Sequence, residues 1–178
     1  MKKIVLKARV RGQDEFEERL ERAGVELGPV YWQHDRIYGP RGYRRGGNYP
    51  RFVLRTEMKA VDRPAKYSLI LKRHIEDVDV EVEFKTEVKD YTEAAGMVMQ
   101  LGFEPKAEVA KRRQEAKLKD ATLYLDRVEK LNGYFVKVEA EVAEGEKVEA
   151  ARAALGEKLK QVMEFSERSL VRETYGEM

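Results

Sequence analysis

Cysteine is absent from this chain of 178 residues, which excludes disulfides, thiol nucleophiles and zinc–thiolate sites. Histidine is nearly absent: His34 and His74 are the only two, so a histidine-built metal centre is not expected. No apolar run approaches the ~20 residues that a membrane-spanning helix needs. The N-terminus carries no signal-peptide core, so a cytoplasmic protein without membrane contact is expected. An excess of either charge sign is missing too: 35 basic residues against 33 acidic ones leave a net +2. Bulk charge therefore selects no partner. The length suits one domain spanning 1–178, large enough for a full hydrophobic core.

Charge itself is plentiful, at 38% of residues, and its arrangement is informative. In 2–10, Ile4, Leu6, Ala8 and Val10 alternate with Lys3, Val5, Lys7 and Arg9. In 79–88, Val80, Val82, Phe84 and Val88 oppose Asp79, Glu81, Glu83, Lys85 and Glu87. In 134–142, Tyr134, Val136, Val138, Ala140 and Val142 oppose Phe135, Lys137, Glu139 and Glu141. Strand side chains alternate with period two, so each segment is an apolar stripe backed by a charged one. Two architectures give this pattern. One is an antiparallel sheet with a solvated face; the other is a barrel whose charges point inward.

Further strands are expected at 28–38, 51–57, 66–73, 105–117, 121–129 and 133–142, the last two joined at the turn-forming pair Asn132-Gly133. A helix is expected over 13–23 on the spacing of Phe16, Leu20 and Ala23. A second starts at Asp90, with Glu93 three residues on, and ends at Gly102. The tail from Gly145 reads as helical, interrupted near Gly156 and Phe165. Between 39 and 50 lies a glycine-rich basic loop holding Arg41, Arg44 and Arg45. Eight strands with few helices favour an α+β fold: an eight-stranded antiparallel barrel with flanking helices.

On the charged faces, Lys3, Lys7, Arg9, Arg51, Arg55, Lys72, Lys85, Lys111, Arg113 and Lys137 recur strand after strand. Solvation of a surface does not require that recurrence; an inward cavity for an anion does. Phosphate oxygens suit such a cavity, because arginine offers them paired donors and lysine a point charge. A smaller acidic set, including Asp126, shares the parity and could order a lysine, orient a water or neutralise a neighbour. Trp32 and His34 take the opposite parity, which assigns Trp32 to core packing. Asp35 and Tyr38 cannot both face inward without a bulge.

Several segments resemble motifs of the CYTH superfamily, the triphosphate tunnel metalloenzymes. Gln33-His34-Asp35-Arg36-Ile37-Tyr38 is similar to its Q-x-D-x-Y-F strand, and Arg51-Phe52-Val53-Leu54-Arg55 to its R-L-K-L-R. Leu69-Ile70-Leu71-Lys72 resembles the strand that ends in a phosphate-binding lysine. Val109-Ala110-Lys111-Arg112-Arg113 resembles V-x-K-x-R, and 125–131 resembles L-D-x-V-x-x-L. The resemblance implies an eight-stranded tunnel that binds a triphosphate small molecule such as ATP or tripolyphosphate. By the same resemblance, Lys7, Arg9, Arg51, Arg55, Lys72, Lys111 and Arg113 hold phosphate, while Lys7 and Asp126 are the candidates for catalysis. Glu83, Glu139 and Glu141 would hold Mg2+ or Mn2+. The reaction implied is phosphohydrolysis or class IV adenylyl cyclase-like cyclisation. Nucleic acid is not an expected partner except through a 5′-triphosphate end, and a homodimer is an open expectation.

Departures from the family pattern argue the other way. The N-terminal E-x-E-x-K reads Lys3-Ile4-Val5-Leu6-Lys7, without either glutamate. The middle E-x-E reads Glu83-Phe84-Lys85 and the late one Lys137-Val138-Glu139, so that each has lost an acid. Replacing a carboxylate by an ammonium changes local charge by two units, which opposes a metal and favours direct anion binding. A metal-independent phosphate-binding module is therefore the competing expectation.

Overall fold

The computed structural model describes residues 1–10, 13–44, 49–60, 62–75, 77–162 and 167–178. Arg45, Phe165 and the side chain of Asp79 lie outside the described set. Eight strands form: β1 (Lys2–Val10), β2 (Tyr31–Pro40), β3 (Arg51–Met58), β4 (Lys66–Ile75), β5 (Asp77–Val88), β6 (Phe103–Leu118), β7 (Ala121–Val128) and β8 (Tyr134–Glu141). The helices are α1 (Gln13–Arg22), α2 (Tyr91–Gln100) and α3 (Val148–Val162). The strands close into an antiparallel barrel in the order β1-β5-β4-β3-β2-β6-β7-β8. β1 is the seam. It pairs with β8 from Lys3 to Val10 but with β5 only from Lys2 to Ile4.

Closure decides between the two architectures, because the apolar stripes pack outside the barrel, under the helices. Ile4, Leu6 and Ala8 of β1 join Leu123, Leu125, Val136 and Val138, all covered by Phe16 and Leu20 of α1 and Leu155 and Leu159 of α3. Burying each such leucine stabilises the fold by roughly 1.5–3 kcal/mol. On the far side α2 covers Tyr38 and Leu54 with Ala94, Ala95 and Val98. The Asp90 side chain caps α2, accepting from the Glu93 amide at 2.9 Å. The charged stripes are thereby left on the inside.

Three expectations change. α3 runs unbroken through Gly156, which lies on its buried face beside Leu155 and Leu159; packing there offsets the ~1 kcal/mol that glycine costs a helix. β7 and β8 are joined by residues 129–133 rather than by a two-residue turn, with Gly133 at φ 83°. Trp32 is not core: it is 37% exposed on the outer surface, with the Arg112 guanidinium 4.7 Å above its ring. Asp35 and Tyr38 do part company across a register shift at Ile37/Tyr38, Tyr38 packing under α2.

Candidate functional site

The barrel encloses a cavity of about 120 Å³. Lys7 of β1, Arg51 and Arg55 of β3, Lys72 of β4, and Lys111 and Arg113 of β6 all line it, joined by Asp35, Glu81 and Lys137. Strand alternation brings these side chains to one place from seven of the eight strands. Arg9 and Lys85 are exceptions among the cations expected there: both are exposed, and the Arg9 guanidinium lies 5.1 Å over the Phe135 ring. Phe135 stands opposite Arg9 in the β1–β8 ladder and is fully buried, so an aromatic ring takes the inner space at that level.

Cations and carboxylates in the barrel are paired across strands. Arg113 makes a two-point contact with Asp126 at 2.5 and 2.6 Å, and Arg55 one with Asp35 at 2.7 and 2.9 Å. Lys111 lies 3.9 Å from each of the same two aspartates. Arg51 binds Glu81 at 2.7 Å and meets the His74 ring at 2.9 Å. The Lys72 ammonium lies 3.0 Å from both Glu81 and Glu83. Lys3 reaches Glu83 at 3.0 Å and Glu139 at 3.9 Å, and Lys137 pairs with Glu139. Seven cations (Lys3, Arg51, Arg55, Lys72, Lys111, Arg113, Lys137) thus share five carboxylates (Asp35, Glu81, Glu83, Asp126, Glu139), and Lys7 and Arg172 face the same cavity with Glu173.

That imbalance shows in the acidities. Burial alone would raise the pKa of Asp35, Asp126, Glu81 and Glu139, but the adjoining lysines and arginines outweigh it and hold all four well below the carboxylate range. Glu83 falls to about 2 on the same balance, with Lys72 the main opposing charge. Burial, with Lys137 second, lowers Lys7 to about 8. Burial, with Arg113 second, lowers Lys111 to about 7. Asp126, Glu177 and Glu173 offset part of this at Lys7, and Asp126 and Asp35 part of it at Lys111.

The C-terminal segment, a feature the sequence reading missed, lines the same cavity from Val171 to Gly176. Leu170 bridges to Ala8, and the Val171 amide donates to the Lys7 carbonyl at 2.7 Å. The Tyr175 hydroxyl then donates to Asp126 at 2.9 Å, and its ring lies under the ammonium groups of Lys7 at 4.4 Å and Lys111 at 5.1 Å. Lys7 also donates to the Glu173 carbonyl. At Gly176 a Cβ would come within 2.9 Å of the Ile37 Cδ1 and 3.0 Å of the Ala107 Cβ, so a side chain there would make Ile37 shift.

The acids expected to hold a metal ion are placed differently from one another. Glu83 and Glu139 are inside, each against an ammonium. Glu141 is exposed at the barrel rim. Lys85 is also exposed, and the inward partner of Glu83 is Glu81, so the middle strand presents its acid pair two residues before the Glu83-Phe84-Lys85 motif. Among the described residues, no three acidic or histidine side chains converge as a metal ion requires. The residues present therefore do not fit a divalent cation of the kind the resemblance implies.

The family model of the CYTH domain matches residues 1–175. A search of curated proteins returns no match. Among solved structures, the PH1012 protein of Pyrococcus horikoshii is similar at 22% identity, covering 98% of each chain with a TM-score of 0.79. A putative adenylate cyclase of Vibrio parahaemolyticus is 18% identical over 97% of this chain and 94% of its own, with a TM-score of 0.77. A putative adenylyl cyclase of Hippeastrum, described as having a dominant triphosphatase activity, is 13% identical over 94% and 93%, with a TM-score of 0.57. At these identities the likeness is one of fold.

Proposed function

Since the chain belongs to the CYTH domain family, we propose that its tunnel binds the phosphate chain of a triphosphate-bearing small molecule, such as ATP or tripolyphosphate. One observation carries the reading: Lys7 and Lys111, whose ammonium groups burial and neighbouring cations make more acidic, face one cavity with Arg51, Arg55, Lys72 and Arg113. Cations crowded together out of water are costly, and a polyanion relieves that cost. Arg55 and Arg113 are already oriented by two-point contacts with Asp35 and Asp126, so their remaining N–H groups are directed before a ligand arrives. The ammonium groups of Lys7 and Lys111 supply the mobile charge.

Turnover is a second reading, as hydrolysis of the phosphate chain or cyclisation of a nucleotide. It is favoured by the acidities of Lys7, at about 8, and Lys111, at about 7, which suit proton transfer near neutrality. Asp126, held by Arg113, Lys111 and Tyr175, would act by fixing Lys111 rather than by exchanging a proton. Calorimetric titration with tripolyphosphate and with ATP, alongside a product assay, tests both readings. Binding by the wild type should weaken by roughly 1–3 kcal/mol in Lys111→Met, the scale of a charge-assisted contact. Unchanged affinity in that variant would move the site out of the tunnel. Release of phosphate, pyrophosphate or a cyclic nucleotide would establish the second reading.

A further inference from the structure

The carboxylates that a divalent ion would need are held by cations that belong to the chain. Lys72 bridges Glu81 and Glu83 at 3.0 Å each. Lys3 bridges Glu83 and Glu139 at 3.0 and 3.9 Å. Lys137 takes a further oxygen of Glu139. An ammonium between two carboxylates neutralises them as a bound cation would, but it is covalently attached, carries a single charge and makes contacts near 3 Å instead of the ~2.0–2.6 Å of Mg2+ or Ca2+. Lys3 is placed for this by the seam of the barrel, where β1 lies between β5 and β8: it stands opposite Glu81 on one neighbour and Glu141 on the other.

We propose that Lys3 and Lys72 are tethered cations that replace the divalent ion of a triphosphate tunnel, so that the ligand is taken as the metal-free, fully ionised phosphate chain and not as its magnesium complex. This selectivity rests on the triphosphate-binding reading above, whereas the assignment of the two lysines does not. A magnesium ion riding on the ligand would enter a cavity in which cations already outnumber carboxylates, and it would cover the phosphate oxygens that the lysines and arginines must reach. A free ion would have to displace Lys3 and Lys72, which are tethered beside the acids. Magnesium therefore opposes binding here.

The test has two arms, both on the intact protein. In the first, Mn2+ alone is titrated into protein without phosphate and followed by electron paramagnetic resonance. Wild type should show no stoichiometric site, and Lys3→Glu should create one. If Lys3→Glu does not fold, Lys3→Gln serves, and it should bind Mn2+ more tightly than wild type. Stoichiometric Mn2+ binding by wild type, or no gain in the folded variant, overturns the assignment. In the second arm tripolyphosphate is titrated calorimetrically in chelator and in excess magnesium, with apparent affinity expected to fall about tenfold or more in magnesium. Binding that requires magnesium overturns the proposal. Failure to bind in either condition, with the Mn2+ arm as expected, removes the triphosphate reading and leaves the lysines in place as tethered cations.

Discussion

Lys111 and Arg113 are two residues apart on one strand and point into the same cavity, yet they respond differently to removal. Arg113 is joined to Asp126 at two points, and Asp126 has no exposure. Arg113→Met leaves that carboxylate buried with only a 3.9 Å ammonium and a tyrosine hydroxyl, so it should cost roughly 3–5 kcal/mol of stability. Lys111 is a buried cation that other cations crowd, and Lys111→Met should leave the ligand-free Tm unchanged or raise it. Thermal denaturation of the two variants side by side checks the contrast. Lys111 also predicts a proton linkage. Its folded pKa, near 7, lies below its unfolded value of about 10.4, so between those pH values the unfolded chain binds the proton and the folded one does not. Stability of the empty protein should therefore rise with pH across that window. A polyanion that favours the charged lysine should take up a proton on binding at pH 8, seen as a binding enthalpy that varies with the buffer's ionisation enthalpy; no variation would place the phosphate away from Lys111. The inward parity of these cations was legible in the period-two pattern alone. Their partners were not, because Asp126 and Asp35 reach them across strand pairings that alternation does not specify. Arg9 has the correct parity and failed only because Phe135 fills the inner space opposite it.

The contrast between β1 and the C-terminal segment shows which elements announce themselves. β1 was readable from Lys2 to Val10 because one complete apolar face alternates with charge. The middle acid pair was misplaced by two residues, since Glu81, Glu83 and Lys85 share parity and only closure of the barrel decides which of them is enclosed. Residues 171–176 carry no periodic signal at all; one bridge at Leu170 and one amide bond at Val171 set their course into the cavity. What fixes the segment is Tyr175, through a hydroxyl on Asp126 and a ring against two ammonium groups. The variants Tyr175→Phe and Tyr175→Ala separate those contributions. Loss of the hydroxyl alone should cost about 1 kcal/mol. Tyr175 is partly buried, so loss of the ring should cost more than the hydroxyl alone but less than the ~3–5 kcal/mol of truncating a fully buried aromatic. Equal Tm values for the two variants in thermal denaturation would mean that the ring contributes nothing and that the segment is not seated on Lys7 and Lys111.

At the scale of the whole molecule, a net charge of +2 hides an interior where ionised groups are concentrated and an exterior where they are dispersed. Closing the sheet produced that division, because a barrel has one face that cannot be solvated like a surface, and here the charged face was enclosed. The stability of the fold is therefore tied to the ionisation of its interior. Asp35, Glu81, Asp126 and Glu139 are held well below the carboxylate range, and Glu83 lies at about 2. For each, the folded pKa is depressed below an unfolded value of about 4, so the unfolded chain binds protons first as pH falls. The stabilisation is complete above about pH 5 and is lost as pH drops toward 2. Protonating any one of these acids leaves arginines and lysines unpaired beside the rest, so the losses reinforce one another inside a single closed barrel. Tm measured from pH 7 down to pH 2 should hold nearly level to about pH 5 and then fall steeply, with unfolding still a single transition. Asp126→Asn should flatten that fall while lowering Tm at neutral pH, since it removes a titrating partner and strands Arg113 at once. A wild-type profile that stays level to pH 2 would show that these carboxylates are not paired within the barrel in solution.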